Sequence, residues 1–278
     1  MSTSTHDLVH IDSTPLETGW SATTPEGDNI VLDSVRAMAA GYGQLHGANG
    51  DRVFVCPDGE LTMTDSGCPS PFGNLTYLLQ PLDNRKALLA EALDGFYGAS
   101  DGGPFIVFSP WPTGDLREIG LAPIGHPPLM VRWTPAPTRI SDLAVREVTS
   151  HAELIDFERT LIECYPVREL LPFTPGRFTS PAIFETAWKL FVGYIDGEPI
   201  ACAAAYPTAS TTLVEMVATR SEHRGRGYGA VITAAAADSN GDLPAALIAS
   251  DDGQGVYERL GFRRISRFTL WLGNRPCL

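Results

Sequence analysis

Two apolar periods alternate along this chain and read in turn as helices and strands. Apolar residues at helical spacing over 30–40, with Asp33 and Ser34 near the start, predict a first helix. β-forming runs over 52–56 and 60–64 flank Pro57, Asp58 and Gly59, a turn signal that predicts a hairpin. Strands are expected over 75–79, 105–108 and 129–133, and a helix over 85–93. Pro135 and Pro137 then interrupt regular structure, so 134–140 is read as a stiff linker and a domain boundary. Beyond it the pattern predicts a strand over 143–148. A helix over 152–164 follows, with Leu154, Ile155, Phe157, Leu161 and Ile162 on one side. Residues 165–180 are rich in proline, aromatics and arginine, and 184–190 reads as a helix. A hairpin of 190–195 and 199–206 turns at Asp196 and Gly197, and a strand runs over 213–219. A strand over 247–250 and a helix over 253–260 come last. Residues 1–29, rich in Ser, Thr, Gly and Pro, are expected to be a flexible start.

The chain also repeats itself. Leu116-Arg117-Glu118-Ile119-Gly120-Leu121 reads like Tyr257-Glu258-Arg259-Leu260-Gly261-Phe262, an offset of 141 (257 − 116), and Ser109 maps to Ser250 at the same offset. Pro104 and Pro244 precede the matching strands. We read two copies of one fold.

Between the strand over 213–219 and the alanine-rich run over 230–237 lie Arg224-Gly225-Arg226-Gly227-Tyr228-Gly229. Glycines there permit a tight turn and a close backbone approach from outside. A helix N-terminus behind them offers unpaired N–H groups and the positive end of its dipole, which together suit a diphosphate. No Lys-Ser or Lys-Thr closes the loop as in a nucleotide P-loop, and the spacing is not that of a dinucleotide fold. R-x-x-G-x-G instead resembles the acyl-CoA signature of the GNAT superfamily of N-acetyltransferases. Tyr257-x-x-Leu260-Gly261-Phe262 resembles the last block of the same superfamily, in the right order and about thirty residues on.

The resemblance implies an α+β (mixed α/β) fold with two GNAT-like domains in tandem, each a mostly antiparallel mixed sheet flanked by helices. A degenerate domain spans 30–133 and a catalytic one 141–278. The first copy lacks the cradle, because 83–88 hold no glycine, and Leu116 stands where Tyr257 repeats. In the second, Arg224, Gly225, Arg226, Gly227, Tyr228, Gly229 and Ala230 are expected to hold the diphosphate of acetyl-CoA. The backbone of Val217, Ala218 and Thr219 is expected to pair with the pantetheine arm, with Ser250 near its end. Tyr257 is the expected general acid and Glu215, in the adjoining strand, the best candidate base. Strand alternation puts Glu215 and Val217 on one face. Arg168 and Arg177 are candidates for holding an acceptor carboxylate or are surface residues, and His223 reads as an exposed loop residue. The acceptor is an unidentified amine, small molecule or peptide, and no metal is expected. A CoA-binding module without turnover is the competing function, and an acyl donor longer than acetyl a third.

Charge and cysteines narrow the setting. With a net charge of −13, a nucleic acid is not an expected partner. The acidity suits solubility or a cationic acceptor. Five cysteines in no C-x-x-C pair argue against a disulfide framework or zinc site. A polar, acidic start is unlike a signal peptide, and the apolar runs are too short to span a bilayer. The expected location is the cytoplasm, with no membrane partner, and the sequence leaves the oligomeric state open.

Overall fold

The computed structural model describes residues 30–133, 135, 141–165 and 167–275. The predicted flexible start over 1–29 lies outside the described residues, as does the linker over 134–140 apart from Pro135.

The first half comprises α1 (Ile30–Asn49), β1 (Arg52–Val55), β2 (Leu61–Asp65), β3 (Asn74–Leu78), α2 (Lys86–Tyr97), β4 (Phe105–Ser109), β5 (Ala122–Gly125) and β6 (Pro128–Arg132). The second comprises β7 (Ala144–Glu147), α3 (His151–Cys164), β8 (Lys189–Ile195), β9 (Glu198–Pro207), β10 (Thr212–Thr219), α4 (Tyr228–Ala237), β11 (Ala245–Ile248), α5 (Asp251–Arg259), β12 (Arg263–Arg267) and β13 (Thr269–Gly273). One sheet has the order β1-β2-β3-β4-β13-β5 and the other β12-β6-β11-β10-β9-β8-β7. Each is antiparallel except for one parallel pair, β3 with β4 and β10 with β11. The chain is thus an α+β fold of two mixed sheets flanked by helices.

The last strand of each half lies in the sheet of the other. β13 sits between β4 and β5, and β6 sits between β11 and β12. Sheet membership therefore crosses the proline-rich stretch that divides the sequence. An arginine fastens each exchanged strand. Just past β13, Arg275 pairs with buried Asp65 at 2.6 Å and lies over the Tyr97 ring. At the end of β6, buried Arg132 pairs with Asp238 and lies over Phe262.

The repeat read from the sequence is present in three dimensions. β5 and β12 begin 141 residues apart (263 − 122), and so do β6 and β13 (269 − 128). Gly120 and Gly261 both take left-handed backbone, at φ of 81° and 89°. The same bond closes each turn, Leu121 N–H to Leu116 O and Phe262 N–H to Tyr257 O. One difference separates the copies. β3 pairs with β4 through Tyr77, without a bulge in β3, so that sheet is closed. β10 pairs with β11 only at Thr212 and Leu213 and then parts from it.

Two expectations need correction. Residues 184–190 are not a helix. A single 3₁₀ turn, Pro181–Glu185, ends where the Thr186 hydroxyl donates to Ile183 O and accepts from Trp188 N–H, and β8 starts at Lys189. Local bonding by that threonine competes with a helix. The first helix runs to Asn49 instead of stopping at 40, although Gly41, Gly43 and Gly47 weaken its second half. Tertiary contact explains Gly41: a Cβ there would lie 2.9 Å from the Trp188 ring. Among the described residues no helix is long and apolar enough to cross a membrane, and Cys56, Cys68, Cys164 and Cys202 are free thiols.

Candidate active site

The opening between β10 and β11 begins at a β-bulge. Met216 has a φ of 56°, and the register with β9 jumps between Glu215 and Ala218. The extra residue corrects the expected alternation. Glu215 and Met216 both line one cavity, whereas Val217 packs with Val214 on the opposite face. Beyond Leu213 the β11-facing edge of β10 has no strand partner, so the backbone of Val217, Ala218 and Thr219 borders an open cleft of about 700 Å³.

The glycine loop lies along that cleft. Gly225 and Gly227 have φ of 76° and 89°, backbone that glycine adopts without strain, and Gly227 is the N-cap of α4. The first α4 bond toward Gly227 O comes from Ala230 N–H. Among the described residues, the N–H groups of Gly225, Arg226, Gly227, Tyr228 and Gly229 have no protein acceptor. Tyr228 is buried and donates to Asp142 at 3.2 Å, which fixes the start of the helix. Arg224 and Arg226 are exposed, Arg224 Nε donating to Thr219 O at 3.1 Å. The ring of His223, read as exposed, is half-buried at the cleft with Nδ1 enclosed and unpartnered among the described residues.

α5 closes the far wall. Its N-cap Ser250 accepts from Gly253 N–H at 3.3 Å, so that hydroxyl starts the helix while its residue lines the cleft. Tyr257, one turn beyond Gly253, is buried except toward the cleft. A Cβ on Gly253 would lie 2.7 Å from its ring, so the ring occupies space that only glycine leaves. The Tyr257 hydroxyl makes no hydrogen bond among the described residues. Burial, and then the charge of Glu215, push its pKa up to about 12.

Glu215 does not line the cleft. It faces an adjoining cavity of about 210 Å³, and Tyr165 and Ser250 border both spaces. Burial pushes the Glu215 carboxyl up to about 7, opposed by a hydrogen bond from Tyr42 at 3.2 Å. Burial raises the phenols of Tyr42, Tyr77 and Tyr165 as well, and the nearby Glu215 charge adds to each. A carboxylate thus stands among tyrosines from both halves of the chain.

Several wall residues were not legible in the sequence. Tyr42 and Met38 come from α1. Glu158, buried on α3, accepts from the N–H groups of Gly176, Phe178 and Thr179 at 2.7, 2.6 and 3.3 Å and holds the proline-rich loop in place. Asn49 bridges to Phe178 O and Ser180 N–H from the other side. Neither Arg168 nor Arg177 lines the cavity beside Glu215.

The family model for an acetyltransferase (GNAT) domain matches residues 187–264, which run from just before β8 into the start of β12. The chain is similar in fold to a GCN5-related N-acetyltransferase from Kribbella flavida, at 24% identity and a TM-score of 0.61, covering 88% of this chain and 96% of that one. A GCN5-related N-acetyltransferase from Sphaerobacter thermophilus shares 16% identity at a TM-score of 0.54, over 89% and 95% of the two chains. A tandem GNAT protein from the clavulanic acid biosynthesis pathway shares 13% at 0.52, over 88% and 96%. No curated protein matches the chain. Fold and domain match define an α+β chain whose second half carries an acetyltransferase (GNAT) domain. The chain as a whole shares the fold of these GCN5-related N-acetyltransferases and of the tandem GNAT protein, and its residues 187–264 match the GNAT acetyltransferase domain.

Proposed function

We propose that the second half transfers the acetyl group of acetyl-CoA to a primary amine. One observation carries this reading: the N–H groups over 225–229, unpaired among the described residues, border the same cleft as Tyr257, whose phenol likewise has no partner among them. A helix N-terminus with free amides is a ready anion site, and Arg224 and Arg226 add charge where the diphosphate would lie. The unpaired edge of β10 past Leu213 can bond the amides of a pantetheine arm as a further strand would. That arm leads the thioester toward Tyr165 and Ser250, where cleft and cavity adjoin.

The chemistry follows from the two titrating groups. An alkylammonium with a pKa near 10 is no nucleophile until it loses a proton. Glu215, at about 7, accepts that proton close to neutral pH. The amine nitrogen attacks the thioester carbonyl carbon, its second proton departs, and the C–S bond breaks. An amide and a CoA thiol result, with one proton released to solvent. Tyr257, held at about 12, is protonated when the amine attacks. It is placed to donate a hydrogen bond to the sulfur as negative charge builds there, and the proton follows as the thiolate leaves.

Thiol release from acetyl-CoA with a panel of primary amines tests the reading. Turnover that drops by at least about tenfold in Tyr257→Phe supports it. Tight CoA binding with no release on any amine would favour a module without turnover.

A further inference from the structure

The cavity beside Glu215 carries its own chemical signature. Its walls are almost wholly apolar or aromatic: Phe72, Leu75 and Phe108 from the first half, and Leu161, Phe178 and Leu270 among the rest. Among the described residues Glu215 is the sole carboxylate lining it and no cationic side chain does. Arg177 lies along a separate, smaller pocket with His46 and Asp51. The polar atoms that remain cluster at the Glu215 end. The Tyr42 hydroxyl is engaged with Glu215, while those of Tyr77 and Tyr165 have no hydrogen-bond partner among the described residues.

Size and polarity together select a ligand. Apolar cavities of about 150 Å³ take up benzene, so about 210 Å³ accommodates one ring and a short tether. A second charge placed among these walls would be desolvated without a partner. An ammonium at the Glu215 end meets a carboxylate and tyrosine faces, both of which attract a cation.

We propose that the acceptor is a small primary amine on a neutral, ring-sized apolar body, which rests on the transferase reading above. The degenerate half supplies much of the wall that selects it. Amino acids with a free carboxylate and polyamines, which bring a second charge, are excluded by the missing charge partners.

The test uses the full chain and acetyl-CoA with ethylamine, benzylamine, 2-phenylethylamine, phenylalanine and spermidine, following thiol release and, on CoA-loaded protein, calorimetric binding. Selectivity for benzylamine or 2-phenylethylamine over ethylamine by at least about tenfold in kcat/KM is expected, given what single methylenes are worth in apolar pockets. Phenylalanine and spermidine should fall at least about a hundredfold below the ring amines. Phe178→Ala, at a half-buried position on the loop, should lower kcat/KM for benzylamine about tenfold with CoA affinity unchanged. Equal or better turnover of spermidine or phenylalanine overturns the proposal and leaves acetyl transfer standing. Failure of every ring amine to bind CoA-loaded protein overturns it too. Ring amines that bind without being acetylated uphold the cavity assignment and overturn the transferase reading instead.

Discussion

The Tyr42 hydroxyl in the first half donates to Glu215 Oε2 in the second at 3.2 Å, across 173 residues of sequence. A helix of the first half therefore touches the proposed base in the second. If Glu215 is the base proposed above, the first half takes part in that chemistry beyond covering a core.

Tyr42→Phe should move the acid limb of the pH profile upward. The hydrogen bond from Tyr42 favours the ionised carboxylate, and burial opposes it, leaving Glu215 at about 7. With the bond gone, burial acts alone and the carboxyl titrates higher. The pH dependence of kcat/KM, fitted for its lower pKa, checks this. An unchanged or lowered value would count against Glu215 as the base.

Glu215→Gln should lose about 10²–10⁴-fold in kcat/KM and gain stability at alkaline pH. The sign follows from linkage. Folding raises the Glu215 pKa from about 4.5 to about 7, so its contribution is fully present below about 4.5 and is lost as pH rises through about 7. At pH 8 the ionised carboxylate is a burden of up to about 3 kcal/mol, which the neutral amide does not impose. Urea denaturation at pH 5 and pH 8 should show the variant gaining mainly at the higher pH.

Gly253→Ala should disable Tyr257 without touching it. The added Cβ would meet the phenol ring at 2.7 Å and force it from its place. Turnover is expected to fall toward that of Tyr257→Phe while CoA affinity stays within about twofold, since the loss lies in the reacting geometry. Calorimetry with CoA alongside thiol-release kinetics separates the two effects.

Arg275→Ala should destabilise the whole protein by about 3–5 kcal/mol. Its guanidinium bonds Asp65 and the carbonyls of Tyr97, Ser100 and Gly103, so its removal strips a buried carboxylate of its main partner, leaving only the half-exposed Arg52 as a cation at 3.2 Å, and frees the end of β13. Burial raises the Asp65 pKa, yet the bonds from Arg275, Ser100 and Gly67 N–H outweigh it and hold the group at about 2. The stability this confers is present above about 3.9 and is lost as pH falls through about 2. Chemical denaturation of the wild type and variant at pH 7 and pH 3 reads both statements.

What the sequence made legible was contiguous. The cradle and Tyr257 belong to short segments whose glycine spacing, alanine helix and cap are set by nearest neighbours, and the offset of 141 needs no knowledge of packing. What escaped depends on distance in the chain or on single-residue irregularities. Three arginines in Arg263–Arg267 and a proline in Ala122–Gly125 mask two strands that lie beside the exchanged ones. The bulge at Met216 turned Glu215 away from Val217, and alternation alone cannot reveal an inserted residue. Tyr42 and Glu158 carry no local motif, because their roles exist only once α1 and α3 flank the proline-rich loop.

The account depends most on the backbone amides over 225–229 gripping phosphate. Amide shifts of Gly225, Gly227 and Gly229, followed by nitrogen-15 correlation spectroscopy on deuterated protein during titration with CoA, test it directly. The account predicts saturable downfield movement of these three amides, with smaller changes when pantetheine without its diphosphate replaces CoA. CoA that binds to saturation while all three stay in place would contradict it.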